Sequence, residues 1–305
     1  MTERSAADLR RLAATDFLRL AATDFRRLAA LLVAYDDPAE VRACTASLAG
    51  VLDARSIFVF DNSPTSDGGN IGYCAAMNRL IATAREAGFA YGLAINPDAR
   101  IDAGSLGVLV AALERDPQIA IAHPKVFRRH QASVLDGSWL ELTWRHLATR
   151  FAGEGAPDGA RWSVPRRVLA GHGCCALVRL DAVSREGGYD EAFFAYQDEV
   201  DLGLRLARAG LSVLYEPRAA ATHAGPTFDA RREALKAYFL ARNSVLLYRK
   251  HARGWDRAKF FFWMVMGGIY HGARALGGDT RSRRICEGWR DGFASRRRYP
   301  QETAP

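Results

Sequence analysis

The sequence predicts an α/β fold, with a mostly parallel central sheet flanked by helices and a helical extension at the C-terminal end. Three observations carry this. Short β-branched or aromatic runs recur at residues 31–35, 57–60 and 91–95, stretches of helical length separate them, and each run ends in a polar turn. At 305 residues, one large α/β body with an appendage is expected. A hydrophobic content of 49% with 25% charged residues excludes a disordered or collagen-like chain.

Residues 1–27 read as a helical or flexible leader. Arg and Asp recur through it, and it holds no uninterrupted apolar core of the kind a secretory signal needs. It contains a short duplication, Arg11 to Phe17 repeated as Arg19 to Phe25, and two copies cannot build a solenoid. The α/β body is placed at residues 28–250. Leu31 to Tyr35 reads as a buried strand stopped by Asp36-Asp37-Pro38, with a helix following to about Leu52. Ile57 to Phe60 is a second strand, ending at Asp61-Asn62-Ser63-Pro64. Ala75 to Ala87 reads as a helix, and Tyr91 to Ile95 as a strand ending at Asn96-Pro97-Asp98.

Phe127 to Arg167 mixes Gly, Pro, Arg and Trp without periodicity and reads as a long excursion over the site. Leu169 to Arg179 returns to a strand, Glu199 to Ala209 is a helix closed by Gly210, and a short strand from Ser212 to Tyr215 leads to His223.

In such sheets ligands gather beyond the carboxyl ends of the strands, where Tyr35-Asp36, Asp61-Asn62 and Asn96-Pro97-Asp98 would meet. Asp98 is placed to hold a divalent cation, although Asn-Pro-Asp is also an ordinary turn sequence. Asp198-Glu199-Val200-Asp201 sets three acids at a helix N-terminus. Dipole complementation accounts for one or two of them. The preceding Phe193-Phe194-Ala195-Tyr196 would carry the acids to a partly buried position, where a raised pKa suits general-base work. His223 is either a structural histidine or a metal ligand. Asn70-Ile71-Gly72 with Asn78 is a helix entry whose amides could face a phosphate. With no GxGxxG and no Walker lysine, dehydrogenase and P-loop readings are disfavoured.

Taken in order, these elements resemble the family 2 glycosyltransferases, of the GT-A (Rossmann-like) fold, and more narrowly the rhamnosyltransferase-like branch. The resemblance covers about Leu28 to Lys250 and weakens towards Arg298. The family's Thr-Tyr-Asn is Ala34-Tyr35-Asp36 here, and its Asp-Asn-Gly/Ser is Asp61-Asn62-Ser63. Its Asn-x-Gly-(x)-Asn stretch is matched by Asn70, Gly72 and Asn78, and its Asn-Pro-Asp by Asn96-Pro97-Asp98. Its Gly-Gly-Phe-Asp-Glu motif and the acids beyond it run here from Gly187 to Leu202. The downstream His is His223, and the Arg-Asn pair is Arg242-Asn243.

The resemblance implies an inverting transfer from a nucleotide sugar, dTDP-rhamnose being preferred over UDP-galactofuranose and other UDP- or GDP-sugars. It places Tyr35, Asp36 and Asp61 on the base and ribose, with Asn62 and Asn70 alongside. Asn78, Asn96 and Asp98 fall by the diphosphate, and Asp98 with His223 would hold Mg2+ or Mn2+. Glu199 becomes the base with Asp198 its rival, and Asp201 and Arg242 join the substrate-binding set. Asp198-Glu199 inverts the family's Glu-Asp order, and Asn96 replaces the first acid of the general Asp-x-Asp.

Residues 251–305 form a basic, amphipathic C-terminal region. Arg249 to Arg298 holds thirteen Lys/Arg and four acids, while the whole chain carries +8, so the body is close to neutral. Phe260 to Tyr270 is an eleven-residue apolar run with basic flanks, too short to span a bilayer of roughly 20 residues. It suits a helix lying in an anionic membrane interface through residues 251–298, or one packed on the body or on a second subunit in a homo-oligomer.

The family implies a polyprenyl-diphosphate-linked saccharide as acceptor, in cell-surface polysaccharide synthesis at the inner face of the cell membrane. Nucleic acid is disfavoured because no recognised binding module is present. Five cysteines without a CxxC pair indicate neither a disulfide framework nor a zinc site, so a reducing cytoplasm is expected, with Cys174-Cys175 as a buried strand fragment.

Overall fold

The computed structural model of the chain describes residues 25–143, 148–224 and 230–294. The duplicated leader lies almost wholly outside the described residues, as do Arg296, Arg297 and Arg298 of the basic tail.

β1 (Leu28–Ala34) is an apolar run buried along its whole length, as a strand covered on both faces must be. It feeds α1 (Pro38–Ala49), whose N-terminus is capped by Asp37 accepting from Glu40 N and opened by Pro38. β2 (Ile57–Asp61), α2 (Tyr73–Glu86) and β3 (Tyr91–Ile95) follow close to the expected bounds. A three-residue β4 (Ala99–Ile101) leads to α3 (Ala103–Arg115), capped by Asp102, and then to β5 (Ile119–Arg128).

Beyond β5 the structure departs from the sequence expectation. The stretch from Phe127 to Arg167, read as an irregular excursion, instead builds β6 (Gln131–Gly137), β7 (Trp139–Thr143), β8 (Ala148–Phe151) and β9 (Arg166–Val168). Trp139, Trp162, Leu135 and Tyr215 give this region its own small aromatic core, which single-strand periodicity does not reveal. The strand expected over Leu169 to Arg179 is split into β10 (Ala170–Gly171) and β11 (Cys175–Arg179), with residues 172–174 forming a loop between them. The short strand at Ser212 continues to His223 as β12 (Ser212–His223), bulged between Glu216 and Ala220. Between them lie α4 (Leu180–Arg185) and α5 (Asp198–Arg208).

The main sheet runs β2-β1-β3-β11-β5-β12-β4, with β6 on β5 and β9 on β12, while β10, β7 and β8 form a second, three-stranded sheet. β1 is parallel to β2 and β3, and β12 is parallel to β5, but β11 runs antiparallel to both β3 and β5. Alternate residues of β1 serve the two faces. Leu31 and Val33 pack with Met77 and Leu80 of α2 and Leu202 of α5. Leu28, Ala30 and Leu32 pack with Leu48 of α1 and Leu109 of α3.

Three further helices follow among the described residues: α6 (Ala230–His251), α7 (Trp255–Leu276) and α8 (Thr280–Phe293). Tyr238 of α6 donates to Asp291 of α8 at 3.0 Å, and Phe260 of α7 stacks on Tyr248 of α6 at 3.9 Å. The opposite face of α7 is bare, with Phe261, Phe262, Val265, Met266, Ile269 and Tyr270 all exposed. Among the described residues no helix is long and apolar enough to cross a membrane.

Candidate active site

Asp98 and His223 are brought together by strand pairing. β4 runs antiparallel to β12 with His223 opposite Ala99, and Ala224 N donates to Asp98 O at 3.1 Å. His223 Nε2 then lies 3.2 Å from Asp98 Oδ2. The other ring nitrogen, Nδ1, lies 2.7 Å from Asp136 Oδ2 on β6, and His172 Nε2 sits 3.2 Å from that same oxygen. Burial alone would lower the His223 pKa, but the two carboxylates hold it up at about 9. Burial opposes ionisation of Asp98 and Asp136 too, yet their histidine partners keep both below the usual carboxylate range. Below the turn, Glu40 accepts from Arg100 and Arg129, each at 2.7 Å, and Arg129 also donates to Asp98 O.

The acidic cluster stands on a strained turn. Phe194, Tyr196 and Gln197 all have positive φ (66°, 67° and 62°), a region that residues other than glycine seldom occupy. Such conformations cost about 1–3 kcal/mol each and persist only where surrounding contacts impose them. Asn243 of α6 supplies those contacts, its Nδ2 lying 3.1, 2.8 and 2.7 Å from the carbonyl oxygens of Phe193, Ala195 and Tyr196. Arg242 Nη1 adds a bond to Ala192 O at 2.8 Å.

From this turn α5 begins with Asp198 and Glu199. Asp198 is 1% exposed, and its Oδ2 has no hydrogen-bond partner among the described residues. Burial, reinforced by the charge of Glu199, pushes the Asp198 pKa well up; burial also raises that of Glu199. Glu199 is half-buried, and its Oε1 rests so close to Gly173 that a Cβ there would collide with it.

Gly173 lies between His172 and Cys174, so the loop that carries His172 also touches Glu199. The Asn-Pro-Asp turn joins the same loop, because Asn96 N donates to Cys174 O at 2.8 Å. Asp98, His223, Asp136, His172 and Glu199 thus share one locality. The donor set fits a divalent cation. One carboxylate oxygen and one imidazole nitrogen converge, with a second carboxylate orienting the ring from behind, as metal-bound histidines commonly have. His172, Cys174 and His223 also place one possible ligand atom each within 4.8 Å of one another. In that trio burial keeps the Cys174 thiol protonated, so the oxygen of Asp98 is the better anionic donor.

The other strand-end residues gather at the carboxyl edge of β1 and β2. Ala34 pairs with Asp61, Asp36 N donates to Ser63 Oγ at 3.1 Å, and Asp61 Oδ1 accepts from Ser63 N at 2.9 Å. These bonds from Ser63 hold the Asp61 pKa low, and the carboxylates of Asp36 and Asp61 both face solvent beside the half-buried Tyr35.

Several expected ligands are instead committed to the fold. Asn62 Nδ2 donates to Asn70 Oδ1 at 3.0 Å, and the two side chains accept from Ile71 N and Gly72 N, which shapes the loop before α2. Gly72, with φ +89°, lies directly under the Phe194 ring, and Cys74 N donates to Phe194 O at 3.1 Å. The helix entry is therefore covered rather than open to a phosphate. Asn78 uses both ends of its amide on the Tyr189 backbone, at 2.8 Å each way. Asp201 is 0% exposed and tied to Arg205, Lys250 and His251 at 2.7–2.8 Å, while Arg242 is 2% exposed. As placed, Asn78, Asp201 and Arg242 brace the site's frame through these bonds.

The sequence reading missed Asp136, His172 and Gly173. Asp136 lay inside the supposed excursion, and the other two inside a supposed strand. The available signal was Gly171-His172-Gly173, an unlikely run for a strand interior.

The model of the family described as "Glycosyl transferase family group 2" matches residues 93–273. The chain is 30% identical over 227 residues to the N-acetylglucosaminyl-diphospho-decaprenol L-rhamnosyltransferase of Mycobacterium tuberculosis, in strains CDC 1551 / Oshkosh and ATCC 25618 / H37Rv. The match covers 66% of this chain and 71% of the relative. The fold resembles the solved structure of GalNAc-T7 with UDP, GalNAc and Mn2+, at a TM-score of 0.55 and 11% identity. That match covers 89% of this chain and 57% of the other. The architecture is that of a GT-A glycosyltransferase, a mixed sheet with mostly parallel central strands between helices.

Proposed function

The chain belongs to glycosyl transferase family group 2, and from that premise we propose that it is an inverting, metal-dependent rhamnosyltransferase. The donor is dTDP-rhamnose, and the acceptor is a hydroxyl of a polyprenyl-diphosphate-linked saccharide. The observation that carries this reading is the meeting of Asp98 and His223, 3.2 Å apart, with the loop that also touches Glu199. The similarity to a curated L-rhamnosyltransferase supports the sugar and the lipid-linked acceptor.

The nucleotide lies over the carboxyl edge of β1 and β2, where Asp36 and Asp61 accept hydrogen bonds from base and ribose. Asp98 and His223 would hold Mg2+ or Mn2+, which would supply positive charge to the leaving diphosphate. Glu199 takes the proton of the acceptor hydroxyl as that oxygen attacks the anomeric carbon opposite the leaving group, so configuration inverts. Burial raises its pKa, which makes it a better base than an exposed carboxylate. Asp198 is 1% exposed whereas Glu199 is half-buried, which favours Glu199 as the group that meets an acceptor.

The bare apolar face of α7, flanked by Arg253, Arg257 and Arg274, docks the enzyme on an anionic membrane at the cytoplasmic side, where the lipid-linked acceptor resides. The test is a panel of nucleotide sugars incubated with Mn2+ or with chelator. Metal-dependent hydrolysis of dTDP-rhamnose above UDP-galactofuranose, UDP-hexoses and GDP-mannose is the expected result. Preference for another donor would remove rhamnose from the reading, and no turnover of any would remove the transferase.

A further inference from the structure

A cavity of about 400 Å3 lies among α6, α7 and α8 and reaches down to the turn that precedes the catalytic acids. This volume falls within the usual range for small-molecule sites. Its floor is polar. Gln197 Nε2 lies 3.3 Å from Thr149 Oγ1 and 3.5 Å from Ser244 Oγ. Gln197 Oε1, on a side chain only 4% exposed, has no hydrogen-bond partner among the described residues. A buried acceptor left unmade is costly, and a ligand O–H or N–H reaching it would remove the cost.

The walls and rim define what would fit. Trp263 and Trp289 supply aromatic walls, and Gly267 lets the Trp289 ring lie against the α7 backbone, since a Cβ there would fall 2.9 Å from it. Arg281 stands at the rim, exposed, and pairs with no carboxylate among the described residues, whereas Arg274 and Arg284 nearby are paired with Asp279 and Glu287. Met266 and Tyr270 line the cavity and also belong to the exposed apolar face of α7, so the two features are continuous.

Polar floor, aromatic walls, a lone guanidinium and an apolar exit match a sugar that carries a phosphate and a hydrocarbon chain. Gln197 belongs to the turn that leads into α5, two residues before Glu199, so the cavity floor and the proposed base are carried by the same short segment. We infer that this cavity is the acceptor site. The sugar hydrogen-bonds to Gln197 between Trp263 and Trp289, its diphosphate pairs with Arg281, and the prenyl chain leaves over Met266 and Tyr270. The inference rests on the transferase reading above and deepens it.

The experiment is calorimetric titration of N-acetylglucosaminyl-diphospho-geraniol, a short-chain form of the acceptor named for the relative, into the full-length protein with dTDP and Mn2+ present. Binding to wild type is expected, weakened about tenfold or more in Arg281→Glu and lost in Gly267→Leu. Thermal melting of each variant reports its folding, and the exposed Arg281 keeps the test valid if Gly267→Leu fails to fold. Equal affinity in Arg281→Glu, or no binding to wild type, overturns the inference. Donor hydrolysis by the same wild-type preparation separates the two claims. Hydrolysis without acceptor binding sinks the cavity alone, and absence of donor turnover and of nucleotide binding sinks both.

Discussion

Asn243 Nδ2 lies 2.7 Å from the carbonyl oxygen of Tyr196, the last of three backbone oxygens that this one amide holds. The acidic turn is therefore set by α6, a helix nearly fifty residues away in sequence. Replacing Asn243 with Ala frees a strained turn and lets the acids drift. Because an error of about 1 Å in a reacting group can cost 10²-fold, kcat is expected to fall about a hundredfold. Donor KM should change little, since Asp36 and Asp61, where the nucleotide is proposed to bind, are untouched. Steady-state kinetics reads both constants, and an unchanged kcat would mean the turn holds itself.

Glu199→Gln should abolish transfer, with loss of at least about 10²-fold in kcat, while Asp198→Asn, which removes a buried repulsive neighbour, should retain more activity. The wild-type pH–rate profile should rise through a pKa above the ordinary carboxylate range, because burial disfavours the charged form of Glu199. Should Asp198→Asn prove the dead variant, the two roles exchange.

Asp136→Asn is expected to weaken Mn2+ binding by about 10- to 100-fold without unfolding the protein. Asp136 touches His223 from behind at 2.7 Å and orients the imidazole towards Asp98. Mn2+ titration followed by electron paramagnetic resonance reads the affinity, and melting temperature controls for folding. Wild-type affinity in the variant would show that His223 needs no such support or binds no metal.

Asp201 gives a stability prediction. Burial alone would raise its pKa, but His251, Lys250 and Arg205 depress it from 3.8 to about 2. A depressed carboxylate contributes stability that is full above the unfolded pKa and is lost as pH falls through the folded one. Near pH 7 the contribution is about 2 kcal/mol. Asp201→Asn should be less stable than wild type by about that amount at pH 7 in urea unfolding, with the gap closing between about pH 4 and pH 2. A gap independent of pH would mean that packing, not charge, is what Asn fails to replace.

Phe262→Asp with Ile269→Asp should abolish sedimentation with phosphatidylglycerol vesicles while leaving hydrolysis of soluble donor intact, since both side chains point away from the body. Raised salt should weaken wild-type binding, as screening of basic flanks requires. Equal partitioning onto neutral vesicles would remove the electrostatic part of the dock.

The first half of the sheet was legible because β1, β2 and β3 are short apolar runs ended by polar turns, and each strand writes its own limits. Motif order singled out Asp98, His223 and the acids at the start of α5, and strand pairing sets the first two side by side. Motif order did not reveal the frame around them. Asp136 reaches His223 only through the pairing of β6 with β5, and His172 through a break between β10 and β11 for which Gly171-His172-Gly173 was the one local sign. The bracing bonds of Asn78 and Arg242 were not legible either, because polar residues near a site look alike in sequence. Only their partners, the Tyr189 backbone and Ala192 O, distinguish a brace from a contact.

β11 separates β3 from β5 and runs against both, so those two strands have no bonded neighbour on their facing sides until residue 179 exists. A nascent chain that has left the ribosome only as far as Arg128 carries two open edges flanking a missing rung, the arrangement most prone to pairing with another copy. β11, made after both, enters between them, and β12, made later still, enters between β5 and β4. Shortened fragments ending before β11 should therefore be sticky rather than merely inactive, and chaperone demand during synthesis should peak in that interval.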